Sequence, residues 1–578
     1  MLSSLAAVVG VASGIAAIGF RYLIWLSLSL FYNGAVPIGQ PWIDPTIFNL
    51  DADAFLPPTL GFGYLLLLLI LPLGGLLVGI IAMYGAPEVR GAGTPQVMEA
   101  AGFRAGIMRF RVVLLKSLAS ALTIGSGGSA GREGPIVQIG AASGSSLAQA
   151  LKLEQAPRKI LLACGTAGAI AATFNAPIAG VLFAVELVLL EFRTRSFIPL
   201  VISAVFATAV AGLFLPSGPQ LPAQYSFISP LELTLFILLG LIAGLVAILW
   251  IRVRYTIEDA FARIRLSPLL RPAVGGALFA VIALFVPRLM GVGYATVSET
   301  VGGELQLGIF IFAMLAFLKM VATGLTLGTG GSGGEFAPSL FIGATMGAAV
   351  GLGFGALFPG ITNPVGAYAL VGMGALFAGA SRATLTSIVI VFELTGDFGF
   401  ILPLMLACVV ADGVSILLQR ETIYTGALVR KGIVFEHDIE LNVLRTMLVR
   451  DAMVTDVATV TEEATIGDVA QAIASTGHQG FPVLDKDAHL VGIITHSDVR
   501  RALRSGDENQ SCRDAETKEL TVVHAGDTLE HALERMALAE VGHLPVVSED
   551  APHLLVGILS RGDIVKAYRR KALEEHRL

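Results

Sequence analysis

Charge is what this 578-residue chain has least of. Asp, Glu, Lys and Arg together make up 14%, against roughly a quarter in soluble globular proteins. What charge there is gathers at one end: residues 441–578 carry 22 acidic and 15 basic side chains, whereas the first 440 residues carry 45 charged side chains in all. The net charge is −6, so there is no basic footprint and nucleic acid is excluded as a partner. Cysteine is scarce too. Cys164, Cys408 and Cys512 are too few and too scattered for a disulfide framework or a metal site, and the first two read as small packing residues. Between Phe62 and Asp397 the one aspartate is Asp259, so the clustered carboxylates of a membrane pyrophosphatase are absent. No catalytic constellation stands out, and an enzyme is not expected.

What is present is apolar surface: 54% hydrophobic residues, mean hydropathy +0.77 and 66 glycines. Apolar stretches recur at 1–31, 61–84, 110–124, 159–191, 196–214, 230–251, 270–287, 307–327, 337–358, 365–395 and 400–418. A helical span needs about 20 such residues, and several stretches are shorter or cut by glycine clusters. The stretches 159–191 and 365–395 each read as two short helices joined by a break. Broken helices at membrane depth are tolerated where the backbone is buried in protein or lines a cavity, which favours a transporter or channel. The stretch from Leu5 to Phe31 contains Arg21 and follows no positive segment, so it is not expected to be a cleavable signal.

The apolar part is duplicated. At a shift of 203 positions, LKSLASALTIGSGGSAGREGPIVQIGAASG from Leu115 falls on LKMVATGLTLGTGGSGGEFAPSLFIGATMG from Leu318, pairing Lys116 with Lys319, Gly125 with Gly328 and Pro135 with Pro338. At a shift of 207, the segment from Gly165 falls on that from Gly372 and pairs Glu186 with Glu393. The halves are predicted at about 60–215 and 270–418. Paired, interrupted segments of this kind point to a transport site at the repeat interface.

Each copy runs apolar helix, glycine-rich break, proline, new apolar helix. Proline fits the first turn of a helix, so Pro135 and Pro338 mark two helix N-termini, whose free N–H groups and positive dipole end suit an anion. Close packing alone would also use the glycines, but does not require proline at the same place in both copies. GSGGSA in the first copy fits a dinucleotide pattern on its face, but it follows a membrane helix rather than a strand and no Walker lysine is present. Glu133 is the acid of the first loop, a functional candidate as an intramembrane ionisable residue or a static helix-end charge beside Arg132. Glu186 and Glu393, being symmetric, read as structural before they read as proton carriers. Lys116 and Lys319 either lend positive potential to an anion path or snorkel.

GREGP at Gly131–Pro135, GGEFAP at Gly333–Pro338, GAGTP at Gly91–Pro95 and Tyr424 within IYTGAL resemble the signature loops of the CLC chloride channel and transporter family, over about residues 5–430. The resemblance implies an α-helical polytopic membrane protein of inverted-repeat broken helices, forming a homodimer with one anion pathway per subunit. It implies Glu133 as the gating glutamate. Anion contacts would come from the loop at Ala92 and Gly93, the backbone amides of Glu335 and Phe336, and the Tyr424 hydroxyl. This chain departs from the family twice. Ala92 stands where serine or proline is usual, and Leu187 stands where proton-coupled members carry a second glutamate directly after the position of Glu186, leaving a proton pathway at Glu186 and Leu187 in question.

The tail repeats itself as well. GFPVLDKDAHLVGIITHSD (480–498) and HLPVVSEDAPHLLVGILSRGD (543–563) each read as strand, hairpin turn and strand, followed by a helix. They resemble a tandem pair of CBS modules, an α/β unit, over about 449–573. That family's nucleotide-binding members imply Thr495, Asp498, Ser560 and Asp563 as contacts for an adenine nucleotide (ATP, ADP or AMP); no cofactor is otherwise required. Thr/Ser-x-x-Asp before a helix is equally an ordinary capping arrangement. The predicted division is a transport domain over 1–430, a linker over 431–448, a first module over 449–510 and a second over 511–578. A nucleotide-reading tail would be cytoplasmic and the membrane the plasma (inner) membrane. Arg445 and Arg450 before and at the start of the first module agree with the positive-inside rule.

The leading functional expectation is a voltage- or pH-gated chloride channel regulated by the tail, because Leu187 cannot relay a proton. The alternative is a proton-coupled chloride antiporter embedded in the lipid bilayer. GREGP stands intact, which points away from a fluoride exporter. More remote is a CBS-regulated divalent-cation channel, which would need acids along the path, where the duplicated loops offer only Glu133 and Glu335.

Overall fold

The protein, seen in a computed structural model, is described at residues 2–32, 65–190, 192–215, 221, 225, 230–433, 444, 447–478, 480–504, 510–515, 517, 520–539, 541–549, 551 and 553–575. Arg445 and most of the predicted linker lie outside these. The chain divides into two compact units, Met1–Phe435 and Glu436–Leu578.

The first unit is helical, and among the described residues seven of its helices are long and apolar enough to cross a membrane: Leu2–Phe31, Leu67–Gly85, Thr194–Gly212, Glu232–Arg263, Ile309–Gly328, Phe336–Leu357 and Ile401–Leu418. The duplication reaches further than its sequence signal. Leu2–Phe31 packs on Thr194–Gly212 as Glu232–Arg263 packs on Ile401–Leu418. Small residues make both contacts: a Cβ added at Gly14 would lie 2.8 Å from the Ala207 carbonyl oxygen, and one at Gly240 or Gly244 would lie 2.8 Å from that of Ala407 or Ala411. Such glycines four apart let membrane helices meet backbone to backbone. The halves therefore begin at the first helix and at Glu232, not near 60 and 270. Their opening helices share only small residues and apolarity, too little for a match by identity.

The two predicted breaks are present. Helix Gln155–Phe174 ends at Asn175 and helix Val365–Ser381 at Arg382, both in the left-handed region (φ 55° and 58°), and the chain restarts at Pro177 and Thr384. A left-handed residue ends a helix by turning its N–H back onto the last turn. The turns recur at the shift of 207, although neither residue is glycine.

The second unit holds two three-stranded sheets. In the first, β1 (Val460–Thr461) runs parallel to β2 (Gly480–Leu484), which forms an antiparallel hairpin with β3 (Leu490–Thr495). In the second, β4 (Val523–His524), β5 (His543–Val547) and β6 (Leu555–Ser560) repeat this order. Both hairpins slip by one residue at the same place, at Val483/Leu484 and Val546/Val547. The modules exchange end segments: Met447 and Val449 are buried in the core of the second, with Val523 and Leu529, while Cys512 is buried in the core of the first, with Ile466 and Phe481. Met447 and Cys512 thus each pack across an expected boundary, at 448/449 and 510/511. Hydrogen bonds draw these segments across, Val449 N–H to the Asp527 carbonyl (2.8 Å) and Cys512 N–H to that of Ala464 (2.9 Å).

Candidate functional site: helix N-termini facing one another across the repeats

Four helices begin around one buried point. Thr94–Phe103 and Tyr294–Val301 start after Gly93 and Gly293, at φ 91° and 88°, and Glu133–Ala150 and Phe336–Leu357 start in the glycine-rich breaks, with Pro135 and Pro338 in their first turns. Positive φ at both cap glycines lets the chain turn sharply into each short helix. These two turns also reveal a repeat the other shifts conceal: PEVRGAGTPQV from Pro87 falls on PRLMGVGYATV from Pro287 at a shift of 200.

The loops touch largely through backbone, with the Ser332 hydroxyl adding a bond to the Val89 carbonyl (2.7 Å). Gly131 N–H donates to the Gly334 carbonyl (2.8 Å) and Gly334 N–H to that of Gly131 (2.6 Å), while Gly91 N–H donates to Gly331 (2.8 Å). A Cβ on Gly134 would fall on the Ala92 carbonyl oxygen, and one on Gly334 would sit 2.7 Å from the Gly134 nitrogen. Only glycine permits these approaches. Behind them two buried ammonium groups clamp the incoming turns: Lys116 Nζ donates to the Val89 and Gly91 carbonyls (2.9 and 2.8 Å), Lys319 Nζ to those of Leu289 and Gly291 (2.9 and 3.1 Å). Neither lysine snorkels; both are fully buried.

The residues singled out for the anion meet here. Ala92, Gly93, Glu133, Glu335, Phe336 and Tyr424 are all buried. The Glu133 carboxylate accepts from the Tyr294 hydroxyl (2.9 Å), lies 3.7 Å from Arg132 Nε, and faces the amides of Glu133 itself and Ala337, at two helix N-termini. The Phe336 ring lies tilted against that of Phe174 and edge-on to that of Phe377 (centroids 5.2 and 4.4 Å). Tyr424 has the Thr94 hydroxyl facing its phenol and lies within electrostatic reach of both Glu133 and Glu335. Ala92 and Glu335 also line a cavity of about 1180 Å³, as do Arg430 and Lys431. Tyr294, Thr94 and Arg254, which bonds Glu335 (2.8 Å), escaped the sequence reading. The shift of 200 would have found Tyr294 opposite Thr94; nothing local marks Arg254.

Glu186 lies elsewhere and does something else. Its carboxylate accepts from the Leu385 and Thr386 amides (3.0 and 2.8 Å) and the Thr386 hydroxyl (2.6 Å), at the start of helix Thr384–Thr395. Glu393, on that helix, accepts from the Ile178 and Ala179 amides (3.0 and 2.7 Å), at the start of Pro177–Phe183. Each half caps a helix of the other, satisfying donors that a helix start leaves free. Leu187 is buried beside it in a wide helical turn.

The sequence pattern of the voltage gated chloride channel family matches residues 74–416. The chain belongs to the CLC family. The CBS pattern matches residues 449–505 and 512–570. Similar CLC proteins include a "Putative chloride channel protein ClcB-like" of Ralstonia nicotianae, 34% identical over 63% of this chain and 85% of the relative. An "H(+)/Cl(-) exchange transporter ClcA" of Yersinia pestis is 33% identical over 63% of this chain and 79% of the relative. Among solved structures, a slow cyanobacterial Cl-/H+ antiporter superposes with a TM-score of 0.66 at 27% identity, over 74% of this chain and 97% of that one. This CLC protein is an integral membrane anion transporter with a CBS pair.

In that pair Thr495 and Ser560 sit at helix starts and bond their own acids: the Thr495 hydroxyl donates to Asp498 (2.6 Å), and the Ser560 hydroxyl to Asp563 (2.6 Å), with each backbone N–H adding a second bond. In the second module the Ser560 hydroxyl also accepts from the Asp563 N–H (3.2 Å), which is the capping arrangement expected from the sequence.

Proposed function

We propose that this protein is a proton-coupled chloride antiporter in the plasma (inner) membrane, a homodimer with one pathway per subunit and a cytoplasmic CBS tail. The observation that carries the reading is the Glu133 carboxylate lying against the amides of two helix N-termini. An anion and that carboxylate seek the same donors, so chloride enters as the carboxylate is protonated and leaves, which links the two ions. Tyr424, the loop at Ala92 and Gly93, and the amides of Glu335 and Phe336 supply the remaining anion contacts. The exchanger and antiporter names of the Yersinia relative and the cyanobacterial structure favour this over a channel, which was preferred from Leu187 alone.

The test is flux in liposomes. A chloride gradient imposed on vesicles holding the purified chain is expected to drive protons uphill at a fixed ratio to chloride. Chloride that runs down its gradient with no proton movement would return the protein to the channel reading.

The CBS pair is proposed to bind an adenine nucleotide through Thr495, Asp498, Ser560 and Asp563, the acids taking ribose hydroxyls. Millimolar ATP, ADP or AMP should then raise the melting temperature of the full chain, by an amount worth about 2.7 kcal/mol at a hundred times Kd. Asp498→Ala with Asp563→Ala should remove the shift. No shift with any of the three nucleotides would leave these residues as helix caps.

A further inference from the structure

Antiport brings protons to Glu133, and a proton-accepting group lining the cavity would supply them from that side. The position after Glu186 is a buried leucine, and both Glu186 oxygens are occupied as a helix cap. Four acids line the cavity: Glu88, Glu99, Glu258 and Glu335. Glu88 pairs with Arg109 and, like Glu335, leaves Oε2 without a hydrogen-bond partner, but its side chain is 24% exposed; Glu99 is held by both Arg104 and Lys431. Glu258 is half-exposed and bonds Arg254 (2.6 Å). Of these four acids, Glu335 is the one that belongs to the anion-site loops.

Three observations set it apart. Its side chain is 1% exposed, with Oε1 bonded to Arg254 Nε (2.8 Å) and Oε2 buried with no hydrogen-bond partner. It caps helix Phe336–Leu357, two residues before Ala337, whose amide faces the Glu133 carboxylate; two residues span at most about 7 Å. Tyr424 sits within electrostatic reach of both acids. A buried carboxylate oxygen without a donor is costly unless something fills it, and a proton is the smallest thing that can.

We infer that Glu335 is the proton carrier between the cavity and Glu133, taking the part that Leu187 cannot. The inference rests on the antiport reading. A hydronium in the cavity gives its proton to Oε2, forming an O–H bond and leaving water. Glu335 then passes that proton to the Glu133 carboxylate and recovers its own charge against Arg254. The charged and titratable groups around it are Arg254, Tyr255 and Glu258 from one helix, Lys116 from the repeat clamp, and Tyr424. Arg254 keeps the ionised form paired, so the proton is not held permanently.

Glu335→Gln in the full chain, reconstituted in liposomes under a chloride gradient, should lower the proton-to-chloride ratio at least tenfold, measured as both ions in the same vesicles. Glu335→Asp keeps a carboxylate but draws it back from the cavity and from Glu133; it should lower the ratio several-fold and shift the pH profile of proton uptake. Should Glu335→Gln fail to fold, the aspartate variant decides alone. An unchanged ratio in whichever variant folds would overturn the inference and leave antiport standing. No uphill proton movement in the unmodified chain would overturn both.

Discussion

Replacing Glu133 with Gln is expected to make chloride flux faster and nearly independent of pH, and to abolish uphill proton movement. The sign follows from what the carboxylate touches. Ionised, it holds the amides of two helix N-termini and excludes the anion; neutral, it holds them weakly and lets the anion in. Flux through the unmodified protein should therefore rise as pH falls, by at most about tenfold per pH unit for a one-proton gate. Glutamine fixes the neutral state while still accepting from the Tyr294 hydroxyl, so the variant should run at its fast limit at every pH. It carries no exchangeable proton, so coupling ends. Chloride efflux between about pH 4.5 and 7.5, with proton uptake in parallel, measures both. A variant that kept the unmodified pH dependence would reduce Glu133 to a static charge beside Arg132.

Gly134→Ala should be nearly as severe by a different route. The added methyl falls on the Ala92 carbonyl oxygen, with the Gly334 Cα only 2.9 Å away, and neither is a side chain that can rotate aside. Overpacking costs typically about 1–3 kcal/mol where side chains can adjust; here the loops themselves must separate. A melting temperature lower by several degrees and a chloride flux reduced more than tenfold are expected. Gly353→Ala, in the helix that starts at Phe336 and with open space around its Cβ, is the matched control. There alanine should be neutral or stabilising, by roughly 0.5–1 kcal/mol. Equal effects at the two positions would show that glycine at 134 is a matter of helix propensity rather than of loop contact.

Much of the membrane unit could be read ahead of its structure because duplication leaves a numerical trace. Shifts of 203 and 207 located two pairs of helices and the breaks between them, and proline marked both N-termini beside Glu133. Contacts made by backbone leave no such trace. The pairing of Gly131 with Gly334 and the Lys116 clamp on Val89 and Gly91 depend on where carbonyls lie, and nothing in the residue types announces that. The opening helices Leu2–Phe31 and Glu232–Arg263 were missed as a pair because helix contact in lipid asks only for small residues at a spacing. In the tail, hairpins and caps were legible from alternation and Thr/Ser-x-x-Asp, but the exchange of Met447 and Cys512 between modules was not, since both read as ordinary core residues.

The crossed caps of Glu186 and Glu393 bear on how such a molecule arises. During synthesis the first half is made with Pro177–Phe183 lacking its carboxylate, and it stays so until the chain has been extended beyond Glu393. Neither half by itself supplies the carboxylate for this one helix start. The exchange is nevertheless the same bond made twice, as in an isologous interface, where one surface serves both partners. Two copies of a single ancestral half would have capped each other in this manner as separate chains. Fusing them would change the connectivity and leave that bonding untouched.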